Sequence, residues 1–450
     1  MTFVGGKIAA SADRIGPMAS SPRSVTIVGA GICGLSAAWL LARRGVKVTV
    51  LERDADAYAG GVSASCGNAG LLSIGHYPLT RPGVSIRGLK WMLSSTSPLY
   101  IKPRLDGELV SWLWNFHRHC SQDHLDECMR VLGDMGFKTL ALYEEMIRSE
   151  GIECDYARDG WLDVVLDPAN MAAAEAEARA LAPLGYSYRR MEADEARAFD
   201  PCLREGIAGA VHYRDSAHCD PGDFLRQLAA AVVRNGVEIR LGAEVDGFVR
   251  DAKGRCGGVR LLGGTTVESD ATLLAAGIWS DGLARAAGFR VPMFGARGYH
   301  LQLSGMPVPR TGMVLHETFV AVTPMRDSVR LAGTLEIDRL GEPWRRERLA
   351  MLPKGAARYL EGVERAEPAS ATHEWAGYRP CTSDGMPVIG PAPLPGLFVS
   401  TGHAMMGMTL GPVSARAVVE TMFGESPCVD LSMCRAERFG PVARLSAASF

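Results

Sequence analysis

The sequence predicts a mixed α/β protein, in which a domain with a parallel sheet is assembled from distant segments and a second domain combines an antiparallel sheet with helices. Three observations predict it. The chain opens with a strand–helix–strand unit over residues 24–52, short alternating strands fill residues 299–335, and glycine-rich strand–turn–helix segments return after residue 375. With 450 residues, the chain has room for two or three domains.

The opening unit follows from residue types. β-branched and apolar residues predict a buried strand at 24–28, and the helix expected over 32–44 ends at Gly45, a residue typical of helix carboxyl ends. A second strand over 46–51 finishes in Glu52. The loop at 60–70 has too many small residues to pack a core.

The rest of the chain alternates helices and strands without an internal repeat. Asp220-Pro221 combines an amino-terminal cap with a proline in the first turn, so a helix begins there and runs to Asn235. Residues 78–105 are expected to be irregular with short helices, and glycine-punctuated strands up to residue 267 predict a small antiparallel sheet. The other expected helices are at 109–116, 125–149, 171–181, 191–199, from 279, at 344–352, at 356–363 and up to 422; the other strands are at 161–166, 237–241, 271–275, 387–389 and 397–400.

Composition excludes several classes of protein. Hydrophobic residues make up 47% and charged residues 22%, which is ordinary for a globular protein and excludes a disordered chain or a coiled-coil rod. The net charge of −2, with no basic stripe, argues against nucleic-acid binding. Eleven cysteines without CxxC spacing predict reduced thiols in a cytosolic protein, with neither a metal site nor a disulfide framework.

One segment has the length of a membrane span. Residues 24–42 carry no charged side chain, but three glycines interrupt the run and its first residues are typical of a strand. We therefore expect strand, turn and buried helix there, and no transmembrane segment. Residues 1–22 lack the apolar core of a signal peptide and are expected to form an N-terminal extension.

The first turn contains the GxGxxG pattern of dinucleotide-binding folds, Gly29-Ala30-Gly31-Ile32-Cys33-Gly34. The first glycine makes the turn, the second lets the backbone approach a pyrophosphate, and the third lets the helix pack on the strand. Glu52 ends the next strand, where a carboxylate accepts hydrogen bonds from the adenosine ribose and disfavours a 2′-phosphate. A Rossmann-like nucleotide-binding domain is predicted; a structural glycine turn is the alternative.

The spacing of the later segments favours FAD over NAD. An NAD dehydrogenase would continue with further strand–helix units, whereas this chain returns to Rossmann-like segments only after a long insertion. The strand at 271–275 ends in Ala276-Gly277, which resembles a strand end of many FAD-binding folds. An ordinary core strand with a turn is the alternative for that element.

The chain resembles the D-amino acid dehydrogenase group of the DAO superfamily, which also contains glycine and sarcosine oxidases, over residues 24–439. Glyphosate-oxidising and D-hydroxyproline-oxidising proteins share the same frame. The motifs that carry the resemblance are VGAGICGLSAAWLLARRGVKVTVLER (28–53), SASCGNAG (63–70), PGVSIRGLKWML (82–93), DPGDFLRQLA (220–229), LLAAGIWS (273–280), RGYHLQL (297–303), WAGYRPCTSDGMPVIG (375–390) and STGHAMMGMTLGP (400–412).

The resemblance implies non-covalent FAD, held by a domain formed from residues 23–87, 201–290 and 376–450, with a substrate domain at 88–200 and 291–375. Cys381 does not align with the cysteine that tethers flavin in sarcosine oxidases. The amino end of the last helix would stabilise negative charge on the reduced flavin. The implied cofactor-binding residues are Gly29, Gly31, Ile32, Cys33, Gly34, Glu52, Arg53, Ser65, Asn68, Ala69, Gly70, Leu71, Val245, Ala276, Gly277, Trp279, Gly402, His403, Gly407, Met408 and Thr409.

Arg379 matches the family arginine that binds the substrate carboxylate, for which a planar fork of N–H donors is well suited. A surface arginine is the alternative. Tyr299 and His300 are further candidates for the substrate site, although related dehydrogenases often have serine in place of this histidine. His76 and Tyr77 follow the flavin loop and are also candidates, with a polar loop pair as the alternative.

The implied reaction is FAD-dependent oxidative deamination of a D-amino acid, in which hydride passes from Cα to flavin N5 and leaves an imine. The imine hydrolyses to a 2-oxo acid, or stays cyclic for a substrate such as D-hydroxyproline. Electrons would pass to a quinone or another non-oxygen acceptor. The alternatives are an O2-dependent amine oxidase of the glycine, sarcosine or aminophosphonate type, a flavin-binding electron-relay subunit, and an NAD-linked dehydrogenase.

A cytoplasmic location is expected, with peripheral contact at the cytoplasmic membrane face as an option. Trp91-Met92-Leu93, together with Trp112 and Trp114, would form the apolar docking patch. Core or interface packing of these side chains is the alternative.

Overall fold

The computed structural model describes residues 21–58, 61, 63–91, 97–102, 104, 106–368 and 374–440. Residues 1–20 of the expected N-terminal extension lie outside this part of the chain. The strands within the described ranges are β1 (Ser24–Val28), β2 (Lys47–Glu52), β3 (Leu71–Leu72), β4 (Leu99–Ile101), β5 (Trp161–Val165), β6 (Tyr188–Glu192), β7 (Gly209–Tyr213), β8 (Ala217–His218), β9 (Glu238–Leu241), β10 (Val245–Arg250), β11 (Cys256–Leu261), β12 (Thr266–Glu268), β13 (Ala271–Leu274), β14 (Met293–Ser304), β15 (Gly312–Leu315), β16 (Val320–Met325), β17 (Ser328–Ile337), β18 (Glu367–Pro368), β19 (Glu374–Thr382), β20 (Val388–Pro391) and β21 (Leu397–Thr401). The α-helices are α1 (Ile32–Arg43), α2 (Val84–Trp91), α3 (Gly107–Arg118), α4 (Gln122–Glu150), α5 (Pro168–Leu181), α6 (Ala193–Phe199), α7 (Pro221–Arg234), α8 (Ser280–Ala287), α9 (Arg346–Ala356) and α10 (Gly407–Met422).

A six-stranded sheet gathers segments from the whole length of the chain. Its order is β20-β21-β13-β1-β2-β9, and every pairing is parallel except that of the edge strand β20. α1 packs against α7 and α10 on the sheet, and β1 is buried on both faces, as its β-branched sequence predicts. The carboxyl ends of β1, β2, β13 and β21 therefore meet along one edge, where ligands bind in open α/β sheets.

A large mixed sheet forms the second layer, in the order β18-β14-β17-β16-β15-β5-β7-β6, with β19 paired to β14 and β4 paired to β17. Most neighbours are antiparallel, whereas β5 with β15 and β4 with β17 are parallel. A three-stranded sheet of β10, β11 and β12 stands apart, as the glycine-punctuated segments predict. The mixed α/β class is confirmed.

Two of the expected helices are wrong, one in part and one over nearly its whole length. The segment 191–199 is helical only in α6, because residues 188–192 pair with β7 as an antiparallel strand. The helix expected at 356–363 is absent from the described residues: α9 ends at Ala356, Leu360 forms a bridge with Leu203, and Gly362 adopts a left-handed conformation with φ 80°. Tertiary pairing overrides local helix preference in both places.

The division into two domains stays a prediction. Two strands of the large sheet cross its expected boundaries, because β7 and most of β19 fall in segments that we assigned to the nucleotide domain. Neither segment has the alternation that identifies a half-buried strand from sequence. β19 matters most, since it carries Arg379 into the large sheet.

No helix in the described ranges combines the length and the apolar character that crossing a bilayer requires. The two tryptophans of α3 differ in their surroundings: Trp112 is buried and donates its Nε1 hydrogen to the Cys381 carbonyl at 3.1 Å, whereas Trp114 is exposed. Trp112 is therefore a packing residue and not part of a docking patch. The side chain of Trp91, together with Met92 and Leu93, lies outside the described part of the chain.

Candidate active site

A cleft opens where the carboxyl ends of the parallel strands face the edge of the large sheet. Its walls come from the glycine turn after β1, the end of β2, the loop at 63–68, the segments after β13 and β21, and β19. The predicted site residues that line it are Gly29, Gly31, Ile32, Cys33, Glu52, Arg53, Ser65, Asn68, Val245, Ala276, Gly277, Trp279, Arg379, Gly402, His403, Gly407 and Met408.

The turn between β1 and α1 is rich in glycine, so side chains cover little of its backbone. Gly29 has φ +106°, and a Cβ there would lie 2.5 Å from the Ala275 carbonyl oxygen. A Cβ at Gly34 would overlap the Gly29 carbonyl, so Gly34 permits the close packing of α1 and lies behind the cleft. The Ile32 amide donates to Ser65 Oγ at 3.2 Å. A diphosphate fits this helix amino end, where the helix dipole and free N–H groups attract anions.

The Glu52 carboxylate is held in place at the end of β2. Its Oε2 accepts from the Ala30 amide and its Oε1 from the Asp54 amide, both at 2.9 Å. The carboxylate lines the cleft beside the glycine turn, where its remaining lone pairs suit ribose hydroxyls. Beside it, the Arg53 guanidinium stacks on the Trp279 ring, 3.7 Å from the centroid, and closes that side of the cleft.

The loop at 61–70 is tied to the large sheet through its carbonyl groups. His300 Nδ1 donates to the Gly67 carbonyl and Arg330 Nη1 to the Asn68 carbonyl, both at 3.0 Å, and Trp375 Nε1 donates to the Gly61 carbonyl at 3.2 Å. Sequence analysis missed the roles of Arg330 and Trp375, although Trp375 begins one of the motifs quoted above. Of the predicted loop residues, Ala69, Gly70 and Leu71 do not line the cleft.

The amino end of α10 faces the cleft with Gly407 and Met408, and in the described part of the chain no side chain caps it. His403, just before it, lies between Cys33 Sγ at 3.8 Å and Ser414 Oγ at 2.9 Å. Burial lowers the pKa of His403 to about 4, so the ring is neutral at pH 7. Thr409 does not line the cleft, and its carbonyl accepts the hydroxyl hydrogen of Thr139.

Arg379 reaches the cleft from β19. In register it lies opposite Ala296 of β14, and its guanidinium folds over Gly298, where a Cβ would overlap Nη1. Nη1 is buried and has no hydrogen-bond partner among the described residues. Burial lowers the pKa of Arg379 to about 10, so the group stays cationic at neutral pH. A buried, unpartnered cation is costly, and a carboxylate ligand would complete it.

His300 shares the sheet face of Arg379 and stacks on Trp375, with ring centroids 5.4 Å apart. Burial, followed by the nearby charges of Arg330 and Arg379, lowers its pKa to about 3. The ring is therefore neutral. Because Nδ1 donates to a carbonyl, Nε2 carries the free lone pair.

His300 does not line the cleft, and neither do the three remaining candidates for the substrate site. Tyr299 projects from the opposite face of β14 and donates its hydroxyl hydrogen to Glu336 at 2.6 Å. Tyr77 donates to the Glu177 carbonyl at 3.0 Å, and His76 is half-buried, with a pKa lowered to about 4 by burial. Tyr299 and His300 are adjacent in sequence, but neighbouring residues of a strand point to opposite faces.

The residues present fit FAD. The bare glycine turn suits the pyrophosphate, Glu52 suits the ribose, and the uncapped end of α10 suits a group that gains negative charge. Cys381 is buried in an apolar cluster with Trp112 and does not line the cleft.

Comparisons with known proteins agree with this geometry. The sequence signature of the family described as "DAO: FAD dependent oxidoreductase" matches residues 24–421. The chain is 32% identical over 415 residues to the D-amino acid dehydrogenase of Phenylobacterium zucineum (strain HLK1), covering 91% of this chain and 96% of that protein. Glycine oxidase from Geobacillus kaustophilus has a similar fold, with a TM-score of 0.71 and 21% identity, over 93% of this chain and 99% of that one. Iminodiacetate oxidase from Chelativorans sp. BNC1 is similar as well, with a TM-score of 0.68 and 23% identity, over 92% of this chain and 98% of that one.

The family match spans most of the chain, and the curated relative is aligned over nearly its whole length. The chain therefore belongs to the DAO family of FAD dependent oxidoreductases, with FAD as its cofactor.

Proposed function

We propose that this enzyme oxidatively deaminates D-amino acids and passes the electrons to a quinone or another non-oxygen acceptor. The observation that carries the proposal is the Arg379 guanidinium, which lines the cofactor cleft with a buried Nη1 that has no partner among the described residues. The name of the 32% identical relative, D-amino acid dehydrogenase, supports the reaction and the D preference.

In the proposed reaction, Arg379 binds the substrate carboxylate bidentately and so fixes the position of Cα. When bound, FAD supplies the acceptor for the hydrogen and electron pair of the Cα–H bond. The substrate amine loses a proton to solvent, and the resulting imine is hydrolysed to a 2-oxo acid and ammonia. The amino end of α10, with Gly407 and Met408 in the cleft lining, would stabilise negative charge that develops beside it.

Neutral His300 and His403 do not supply a fixed positive charge at neutral pH, because burial keeps both pKa values low. Arg379 is then the residue that recognises the acid group. The predicted cofactor residues that line the cleft belong to the same proposal, as does a non-covalent FAD, since Cys381 lies outside the cleft.

The electron acceptor and the cellular location of the enzyme are also proposals. Ile86, Val110 and Trp114 are exposed on α2 and α3, which supports contact with an apolar surface such as the cytoplasmic membrane face.

Anaerobic reduction of the bound flavin tests the reaction. Purified enzyme is mixed without oxygen with D- and L-amino acids, glycine, sarcosine and cyclic imino acids, and the loss of flavin absorbance is followed. Bleaching by D-amino acids well above their L-enantiomers is expected. If no amine or amino acid bleaches the flavin, the chain is an electron-relay subunit and the proposal is wrong.

An O2-dependent oxidase is the second candidate, since two proteins of similar fold are named glycine oxidase and iminodiacetate oxidase. Stopped-flow mixing of the reduced enzyme with air-saturated buffer separates the two candidates. Slow reoxidation by air, with fast reoxidation by a soluble quinone, is expected of the dehydrogenase. Rapid reoxidation by air would identify an oxidase.

A further inference from the structure

A second cavity, of about 350 Å³, lies between the large sheet and helices α2 and α3. We propose that it receives the side chain of the substrate and selects apolar side chains, above all aromatic ones. The inference rests on the proposed function, because it assigns the cavity to the same substrate whose carboxylate Arg379 binds.

The lining of the cavity is almost entirely apolar. The floor is formed by four side chains of β4 and β17, with Ala296 of β14 and Cys381 of β19, and α3 contributes Trp112, Leu113 and Phe116 to the roof. Among the lining residues that the structure describes, only Ser85 and His117 have polar side chains, and these bond to each other at 3.0 Å. A charged side chain would lose its hydration there and find no oppositely charged partner among these described residues, so we expect the cavity to reject it.

The position of the cavity relative to Arg379 points to the substrate. Ala296 lies directly opposite Arg379, and directly opposed residues of antiparallel strands project to the same face of the sheet. Leu335, another lining residue, pairs with Gly298, over which the guanidinium folds. Cavity and guanidinium therefore adjoin on one sheet face.

The cavity also adjoins the cofactor cleft. Ala404 lines the cleft and packs in the same apolar cluster as Ala296 and Cys381 of the cavity floor. A molecule whose carboxylate is held by Arg379 thus has its acid group at the cleft and an apolar space beside it. A volume of about 350 Å³ accommodates a phenyl or indole ring.

Binding of carboxylates that the flavin cannot oxidise tests the inference without turnover. Holoenzyme is titrated with propanoate, 3-phenylpropanoate and succinate, and the perturbation of the flavin spectrum gives each Kd. We expect 3-phenylpropanoate to bind at least about tenfold more tightly than propanoate, because apolar groups in such a pocket typically contribute that much or more. Succinate should bind no better than propanoate. Equal affinities for all three acids would overturn the inference.

Two variants narrow the cavity from different sides, Leu113→Trp in the roof and Ala296→Leu in the floor. Each should reduce the preference for 3-phenylpropanoate over propanoate to about threefold or less. The matched control is Ser111→Trp, at an exposed position of α3 that does not line the cavity, which should keep the wild-type ratio. A ratio that neither lining variant changes would also overturn the inference, and flavin absorbance checks that each variant folds.

Rapid-mixing kinetics test whether the cavity acts in flavin reduction by the amino acid or in flavin reoxidation by the acceptor. Leu113→Trp should slow anaerobic flavin reduction by D-phenylalanine far more than reduction by D-alanine, while reoxidation by a soluble quinone keeps its rate. Slowed reoxidation with an unchanged preference among amino acids would make the cavity an acceptor site and overturn the inference. If the proposed function is wrong, no amino acid will reduce the flavin. In that case the Kd values of the three carboxylates alone test whether the cavity binds apolar side chains.

Discussion

The Arg379 guanidinium reaches its position because residue 298 has no side chain. A Cβ at position 298 of β14 would displace Nη1 of Arg379, whereas glycine leaves room for the planar guanidinium. The cost of keeping this cation buried is offset only when an anion arrives, so the site favours a carboxylate before any catalytic step begins.

Replacing Arg379 should remove the anchor for the substrate. For Arg379→Met we expect the apparent Kd of a D-amino acid in anaerobic flavin reduction to rise at least about 100-fold, since a bidentate charge-assisted pair contributes on the order of 3 kcal/mol. Arg379→Lys keeps the positive charge but loses the planar fork of N–H donors, so its Kd should lie between those of the wild type and Arg379→Met. An unchanged Kd in both variants would contradict the assigned role.

Gly298→Ala should act on binding without unfolding the protein. The atoms nearest to the added methyl group belong to the end of the flexible Arg379 side chain, which can move away, so stability should change by less than about 1 kcal/mol. The displaced guanidinium should raise the substrate Kd about tenfold or more. Gly107→Ala is the control, because a Cβ there meets no atom within 4 Å among the described residues. Equal Kd values in the two variants would refute the prediction.

At the scale of elements, the large sheet fixes the loop over the cleft. His300 and Arg330 point from β14 and β17 towards the loop and donate to the carbonyls of Gly67 and Asn68, which leaves the outer side of the loop free to line the cleft. Arg330 also lies 3.6 Å from Asp220, the residue that caps α7. One buried cation thus joins the loop, the sheet and a helix of the nucleotide-binding layer.

Arg330→Met should therefore loosen the loop and weaken cofactor binding. We expect the Kd of FAD, measured by flavin fluorescence during reconstitution of the apoenzyme, to rise about tenfold, because the variant leaves the half-buried Asn68 carbonyl and Asp220 carboxylate without their cation. Arg326→Met, an exposed arginine of the neighbouring turn, is the matched control. Similar FAD affinities in both variants would show that the contact with Asn68 does not hold the loop.

At the scale of the whole molecule, buried neutral histidines link stability to pH. The pKa values of His300 and His403 are lowered to about 3 and about 4, so below pH 6.5 the unfolded chain binds protons that the folded chain does not. Their contribution to stability is complete above pH 6.5 and decreases as the pH falls towards 4. Between pH 7 and pH 5 each should contribute a loss of about 2 kcal/mol.

His300→Asn should make the pH dependence less steep. The drop in the free energy of unfolding between pH 7 and pH 5, from urea titrations followed by circular dichroism, should be smaller in the variant by about 2 kcal/mol. Parallel pH profiles for variant and wild type would contradict the burial of a neutral ring at this position.

The sequence by itself determined the local elements of the nucleotide-binding layer. The glycine turn, the strand that ends in Glu52 and the helix after Asp220-Pro221 depend on backbone freedom, capping and residue type, all of which are readable along the chain. The motif resemblance likewise indicated the family and FAD, both of which the comparisons confirm.

Only the tertiary structure decided which predicted residues meet. Tyr299 and His300 are neighbours in sequence, yet the pleat of β14 sends one to Glu336 and the other to Trp375 on the opposite face. The strands around β7 and β19, and the cavity under α3, arise from pairings between segments far apart in the chain. Such pairings cannot be predicted from local sequence, because the free energy that selects them comes from burial between residues that are distant in the chain.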